Sequence, residues 1–177
     1  SNIVPRMLSA PRVFNLLVGG CAHMWGITAY GVWTCWGDNA AGQLGDGTSA
    51  TRSSPVAVTG GKTFSSISTG SSHSCALTST GEAWCWGSNL SGELGDGSTT
   101  DRPSPTAVIG EIRFATLAVG ESHSCGISIS ATAYCWGKNA SGQLGDGTTI
   151  ASRAMPGAVA RAENFASISA GDDHTCA

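Results

Sequence analysis

Four histidines, His23, His73, His123 and His174, recur at intervals of 50, 50 and 51 residues, each closing a Gly-x-x-His turn. Imidazoles can bind metals or move protons, but acid–base work needs a nucleophile or carboxylate brought alongside. Each histidine arrives with its own repeat, and no Ser, Cys or Asp outside the repeat pattern stands out as a partner. The expected role is structural, an imidazole bonding loop backbone inside its own unit. Asp172 and Asp173, beside His174, are expected to cap a loop. Asp46, Asp96 and Asp146 lie in Gly-rich loops of the type GQLGDGT. Calcium wants six to eight oxygens, and these loops offer one Asp and one upstream Asn (Asn39, Asn89, Asn139) each. Turn formation is the better reading, with Leu44, Leu94 and Leu144 pinning the loops to the core. A phosphate cradle is excluded, because no helix follows and no Lys is placed as in a P-loop. No metal, cofactor or catalytic residue is expected.

The elements that position these residues repeat every fifty positions. GSSHSCALTSTGEAWCWGSNLSGELGDGST (70–99) returns as GESHSCGISISATAYCWGKNASGQLGDGTT (120–149), and an earlier copy starts at Gly20. Pro5, Pro55, Pro105 and Pro156 keep the same beat, as do Phe14, Phe64, Phe114 and Phe165. The repeats frame as 5–54, 55–104, 105–155 and a partial 156–177, with one residue inserted between Gly147 and Arg153. Within a unit the hydrophobic period is two. FSSIST (64–69), SCALT (74–78), EAWCW (82–86) and a short PVAV (55–58) read as strands, and 87–104 as connecting loop. Four strands and one long loop per fifty residues predict an all-β, propeller-type repeat, with an open β-solenoid as the competing architecture.

Hairpin symmetry bears on the cysteines. Cys75 and Cys85 are equidistant from Thr80 in the turn, and Cys125 and Cys135 from Ser130. Opposed strand positions lie about 4.5 to 5.5 Å apart, which suits a disulfide, so both pairs are expected to be bridged. The first repeat puts Trp25 where a cysteine is expected opposite Cys35, and Cys176 in the fourth has no partner in the sequence given. A bridge from Cys176 of one copy to Cys35 of the next would join copies head to tail, into a ring or a filament. The alternatives are a fragment of a longer propeller, or Cys21 pairing with Cys35 or Cys176. Trp36, Trp86 and Trp136 are expected to stack between blades. Asn89-Leu90-Ser91 and Asn139-Ala140-Ser141 satisfy the N-glycosylation pattern on loops expected to be exposed.

Gly70, His73, Leu77, Gly81, Trp86, Gly87, Asn89, Gly92, Leu94, Gly95 and Gly97 together resemble the regulator of chromosome condensation repeat. The cysteine-containing pattern is most similar to secreted or surface members of that family from bacteria. The resemblance implies a β-propeller, usually of seven blades. It also implies two activities as expectations: guanine-nucleotide exchange on a Ran-like GTPase with chromatin docking, or, in secreted members, protein inhibition through loops on one face.

Composition narrows these. Charged residues are 12% of the chain, Lys and Arg number nine, and the net charge is −3. No basic stripe for nucleic acid exists, and no run approaches the ~18 apolar residues of a membrane span. Twenty-five glycines, with 41 Ser and Thr, make the surface unusually neutral. Persisting disulfides imply an oxidising compartment. The expectation is a non-enzymatic extracellular or cell-surface repeat module, structural or adhesive, which self-associates or binds another surface protein.

Overall fold

The computed structural model describes residues 14–28, 31–161 and 164–177, so the repeat position of Pro5 lies outside the described residues. Among them are fourteen strands and no helix, hence none long and apolar enough to cross a membrane. β1 (Phe14–Gly19), β2 (His23–Thr28), β3 (Trp33–Gly37) and β4 (Arg52–Ala57) form the first antiparallel sheet. β5 (Ser66–Thr69), β6 (His73–Leu77), β7 (Ala83–Gly87) and β8 (Arg102–Ala107) form the second. The third contains β9 (Phe114–Val119), β10 (His123–Ser128), β11 (Ala133–Lys138) and β12 (Ser152–Ala158). β13 (Ser169–Ala170) pairs with β14 (Thr175–Cys176) in a two-stranded sheet. These are three full propeller blades and part of a fourth.

Each blade is a meander whose last strand follows the long loop. That strand starts at Arg52, Arg102 or Ser152, ahead of the PVAV segment in which the sequence pattern places it. Pro55, Pro105 and Pro156 sit on it because it is the edge strand, where a missing N–H costs no ladder bond. The third strand departs from ideal pairing at the same place in all three blades. Its register with the fourth shifts between Cys35 and Gly37, Cys85 and Gly87, and Cys135 and Gly137. Gly87 takes φ +105°, and a Cβ there would stand 2.5 Å from the Ser72 carbonyl. The irregularity falls on Trp36, Trp86 and Trp136, as a bulge does when it re-aims a side chain.

The innermost strands β1, β5, β9 and β13 touch in sequence order. Apolar clusters fill the gaps between sheets. Trp25, Trp33, Cys35, Leu44 and Phe64 of the first interface receive Trp86 of the second blade. Leu77, Cys85, Leu94 and Phe114 receive Trp136 of the third. Each indole removes roughly 200 Å² from water, about 5 kcal/mol before ordering entropy. Trp36 is only partly buried.

Candidate protein-interaction surface

The histidines do not bond loop backbone within their own blades, as the repeat pattern suggests; they reach into the next blade. His23 Nε2 lies 3.1 Å from Ser74 Oγ, His73 Nε2 2.9 Å from Ser124 Oγ, and His123 Nε2 2.9 Å from Thr175 Oγ1. Those hydroxyls donate to the carbonyls of Gln43, Glu93 and Gln143, at 3.1, 2.9 and 2.9 Å. A hydroxyl has one proton, which the carbonyl receives, so the histidine must donate from Nε2 and carry its lone pair on Nδ1. Nδ1 of all three finds no hydrogen-bond partner. Burial lowers His23 to about 4, against a smaller opposing pull from Asp38. It lowers His73 to about 3, helped by the neighbouring histidines, and His123 to about 4. These imidazoles are neutral struts. His174 is exposed, and Asp173 bonds Lys138 Nζ at 2.9 Å and Gln143 Nε2 at 3.2 Å across blades instead of capping its own loop.

The Gly-rich loops are closed by their acids. Asp96 Oδ1 accepts from the Ser98 N–H and hydroxyl and from Asn89 Nδ2, and Asp96 Oδ2 pairs with Arg102 at 2.9 Å. Asp46 with Arg52, and Asp146 with Arg153, repeat this at 2.7 Å. Burial alone would raise Asp46 and Asp96, but the Thr48 or Ser98 donors, the arginine and the asparagine together hold both below the usual carboxylate range. Asn89 and Asn139 are not open to a glycan in the folded blade. They are 0% and 1% exposed, and their Nδ2 atoms are committed to loop carbonyls and the aspartate. Leu44, Leu94 and Leu144 are buried beneath the loops.

Cys75 faces Cys85 and Cys125 faces Cys135 in register, each pair disulfide-bonded with Cα atoms 4.1 Å apart. Cys35 faces Trp25 and has 0% exposure; its thiol donates to the Leu44 carbonyl at 2.9 Å, and burial pushes its pKa far up. A bridge from Cys35 to Cys176 of another copy is therefore out of reach while the first blade keeps this packing. Cys21 and Cys176 are exposed, with Cys21 Sγ 3.4 Å from Ser71 Oγ.

With the repeated polar side chains absorbed into structure, the distinctive surface lies at the turn-bearing end of the second blade. Trp84 on β7 is half-buried in a hollow of about 700 Å³ rimmed by Lys62, Glu82, Ile109, Ile112 and Arg113. Lys62 Nζ stands 4.4 Å over the indole, and Arg113 pairs with Glu82 at 2.9 Å. Ile109 is exposed. Trp and Arg beside a concavity are among the side chains that most often dominate protein–protein binding energy. Sequence reasoning passed over Trp84 because it is on a strand, not a loop. Its signal is the repeat position it shares with Thr34 and Tyr134, where only Trp84 offers an indole.

Residues 31–77, 80–127 and 131–177 each match the family profile described as the regulator of chromosome condensation (RCC1) repeat. A second profile of the same repeat matches 64–93 and 114–143. The chain belongs to the RCC1 repeat family. Its fold is similar to that of Prp20p from Saccharomyces cerevisiae, whose crystal structure is described with its binding to Gsp1p and histones. The two are 22% identical with a TM-score of 0.79, over 90% of this chain and 42% of Prp20p. The ectodomain of the Arabidopsis thaliana receptor kinase ACR4 is 21% identical with a TM-score of 0.60, over 95% of this chain and 48% of that one. The Physcomitrella patens receptor kinase CR4 ectodomain is 22% identical with a TM-score of 0.59, over 93% of this chain and 38% of that one. This RCC1 repeat chain thus spans less than half of each, and the likeness is one of fold. No curated protein matches it.

Proposed function

We propose that this RCC1 repeat chain is a non-enzymatic protein-interaction module of an exported or surface protein, engaging its partner through the Trp84 hollow. The observation that carries the reading is the hollow itself. An indole, two cations and two isoleucines gather there around one concavity, on a chain in which charged residues are only 12%. The two disulfides support that compartment, since such bonds persist where thiols are not kept reduced. They also weigh against an exchange factor for a Ran-like GTPase, which acts inside the cell. The partner is another surface protein or a second copy of the chain.

The test pairs Trp84→Ala, which removes an indole that also packs against the core of the first interface, with Arg113→Glu, a surface change outside that core. A purified extracellular partner is expected to bind both variants at least tenfold more weakly than the parent chain, with both disulfides intact. Light scattering distinguishes a self-associating chain from one needing another protein. Equal binding by parent and both variants overturns the role of this hollow.

A further inference from the structure

Four charged side chains rim the Trp84 hollow, two of each sign: Lys62, Arg113, Glu82 and Glu111. The chain has only nine basic and twelve acidic residues, so this is a dense gathering. The repeat does not require it. Fifty residues earlier, the positions of Glu82, Trp84, Glu111 and Arg113 hold Val32, Thr34, Gly61 and Thr63. Fifty residues later, the positions of Lys62, Glu82 and Trp84 hold Ile112, Thr132 and Tyr134.

Two of the four charges are neutralised within the chain, since Arg113 Nη1 bonds Glu82 Oε1 at 2.9 Å. Among the described residues, Lys62 and Glu111 have no ion-pair partner; Lys62 lies over the Trp84 ring instead. Glu111 is also held at φ +54°, where Gly61 of the preceding repeat takes φ +63°. Left-handed backbone disfavours a side chain, and residues kept there cluster at ligand clamps and other working surfaces. The core does not use this carboxylate, because Glu111 is exposed.

The apolar part of the same face continues onto the third blade. The Ile129 amide donates to the Arg113 carbonyl at 2.9 Å, which fixes the hairpin turn of that blade beside the hollow. Ile129 is 74% exposed, at a repeat position where the second blade has Ser79. It borders a second hollow of about 460 Å³, with Phe114 and Thr78 in the wall. The face thus combines an indole, exposed isoleucines and equal numbers of both charges. A uniformly acidic or basic partner would leave half of those charges opposed by their own sign. A second copy would not. In a two-fold contact residue i meets j and j meets i, so one unlike pair forms twice.

We propose, on the reading of the hollow as a docking site, that its occupant is a second copy of the chain related by a two-fold axis. Lys62 of each copy pairs with Glu111 of the other, while Trp84, Ile109 and Ile129 supply the desolvated centre. The Arg113–Glu82 pairs, already satisfied, stand at the polar rim.

The test is sedimentation equilibrium of the full chain, with the exposed Cys21 and Cys176 alkylated so that no intermolecular disulfide contributes. Association that stops at the dimer is expected, as a closed two-fold contact requires. Lys62→Glu and Glu111→Lys should each raise the dimer dissociation constant at least tenfold, because each sets like charges opposite one another twice. Mixed in equal amounts, the two variants should recover most of the parental affinity, since every pair across the mixed interface is again unlike. Ile129→Ser and Glu111→Gly, which copy Ser79 and Gly61 of sister repeats, should weaken the dimer severalfold without lowering the urea midpoint. A chain that stays monomeric at its highest soluble concentration overturns the proposal. So does a dimer indifferent to both charge reversals, or a mixture no tighter than its components. If that monomeric chain binds an extracellular protein and loses it on Arg113→Glu, the hollow serves that protein, and only the second copy is refuted.

Discussion

Acidification should destabilise this protein well before Asp46, Asp96 and Asp146 protonate, because three neutral histidines hold the blades together. In the unfolded chain each titrates near 6.5. In the fold, burial holds His23 and His123 at about 4 and His73 at about 3. The folded values are lowered, so below pH 6.5 the unfolded chain binds more protons and stability falls as pH falls. Each histidine contributes up to about 1.4 kcal/mol per pH unit. From pH 7 to 5.5 the three together remove about 4 kcal/mol, a large part of the 5–15 kcal/mol typical of a domain. The physical reason is local: a second proton must go on Nδ1, where no acceptor waits. Asp46, Asp96 and Asp146 titrate below the ordinary carboxylate range, so their losses come only at lower pH. Urea unfolding followed by tryptophan emission at pH 7.5, 6.5, 5.5 and 4.5 reads the effect. His73→Gln keeps a donor toward Ser124 and should flatten the slope by about a third. A stability change below about 1 kcal/mol between pH 7 and 5.5 would refute the neutral-strut reasoning.

Glu93 stands where the neighbouring blades have Gln43 and Gln143, and burial raises its pKa. Glu93→Gln should raise the urea midpoint at neutral pH, with the gain shrinking in acid as Glu93 itself takes a proton. Replacing Cys75 and Cys85 together by Ala opens a loop with a sequence separation of 10, which should cost about 2.5–3 kcal/mol in thermal or urea unfolding. Ser124→Ala removes the acceptor of His73 Nε2–H and a donor to the Glu93 carbonyl, leaving a buried donor unsatisfied. A loss of about 1–3 kcal/mol is expected, and Ser124→Thr should recover most of it.

The fifty-residue period made the blades readable, since identical spacing of Gly, His, Cys and Trp fixes one sheet per repeat. Hairpin symmetry located Cys75 opposite Cys85 because a short turn leaves only one register. The partners across blades were harder to see. His73 and Ser124 are 51 positions apart, and Trp86 meets a carbonyl at Gln43, a contact to which the side chain at 43 adds nothing. Repetition shows that a position matters without showing whether its partner lies in the same unit or the next. The same ambiguity made the sequon asparagines look exposed: Asn89 is in a loop, but it is the peg around which Asp96, Ser98 and Thr100 close. The arginines that clamp these loops, Arg52, Arg102 and Arg153, recur one per repeat after each Asp, but the repeat pattern alone did not mark them as its partners.

The single inserted residue shows which spacings the fold guards. It falls between Gly147 and Arg153, so Asp146 and Arg153 are seven apart where Asp96 and Arg102 are six. The ion pair survives, with Arg153 Nη2 2.7 Å from Asp146 Oδ2 as Arg52 Nη2 is from Asp46 Oδ2. A long flexible side chain in a surface loop absorbs the extra length at little cost. The Gly-x-x-His turn could not do so. Gly20, Gly70 and Gly120 are so close to the next blade that a Cβ would collide with the carbonyl of Gly70, Gly120 or Gly171, and the turn sets the histidine against a hydroxyl of that blade. One residue more there would displace the imidazole from its partner and reverse the faces of the following strand. The long loops are therefore where repeats of this chain can differ, and the inner turns are where they must agree.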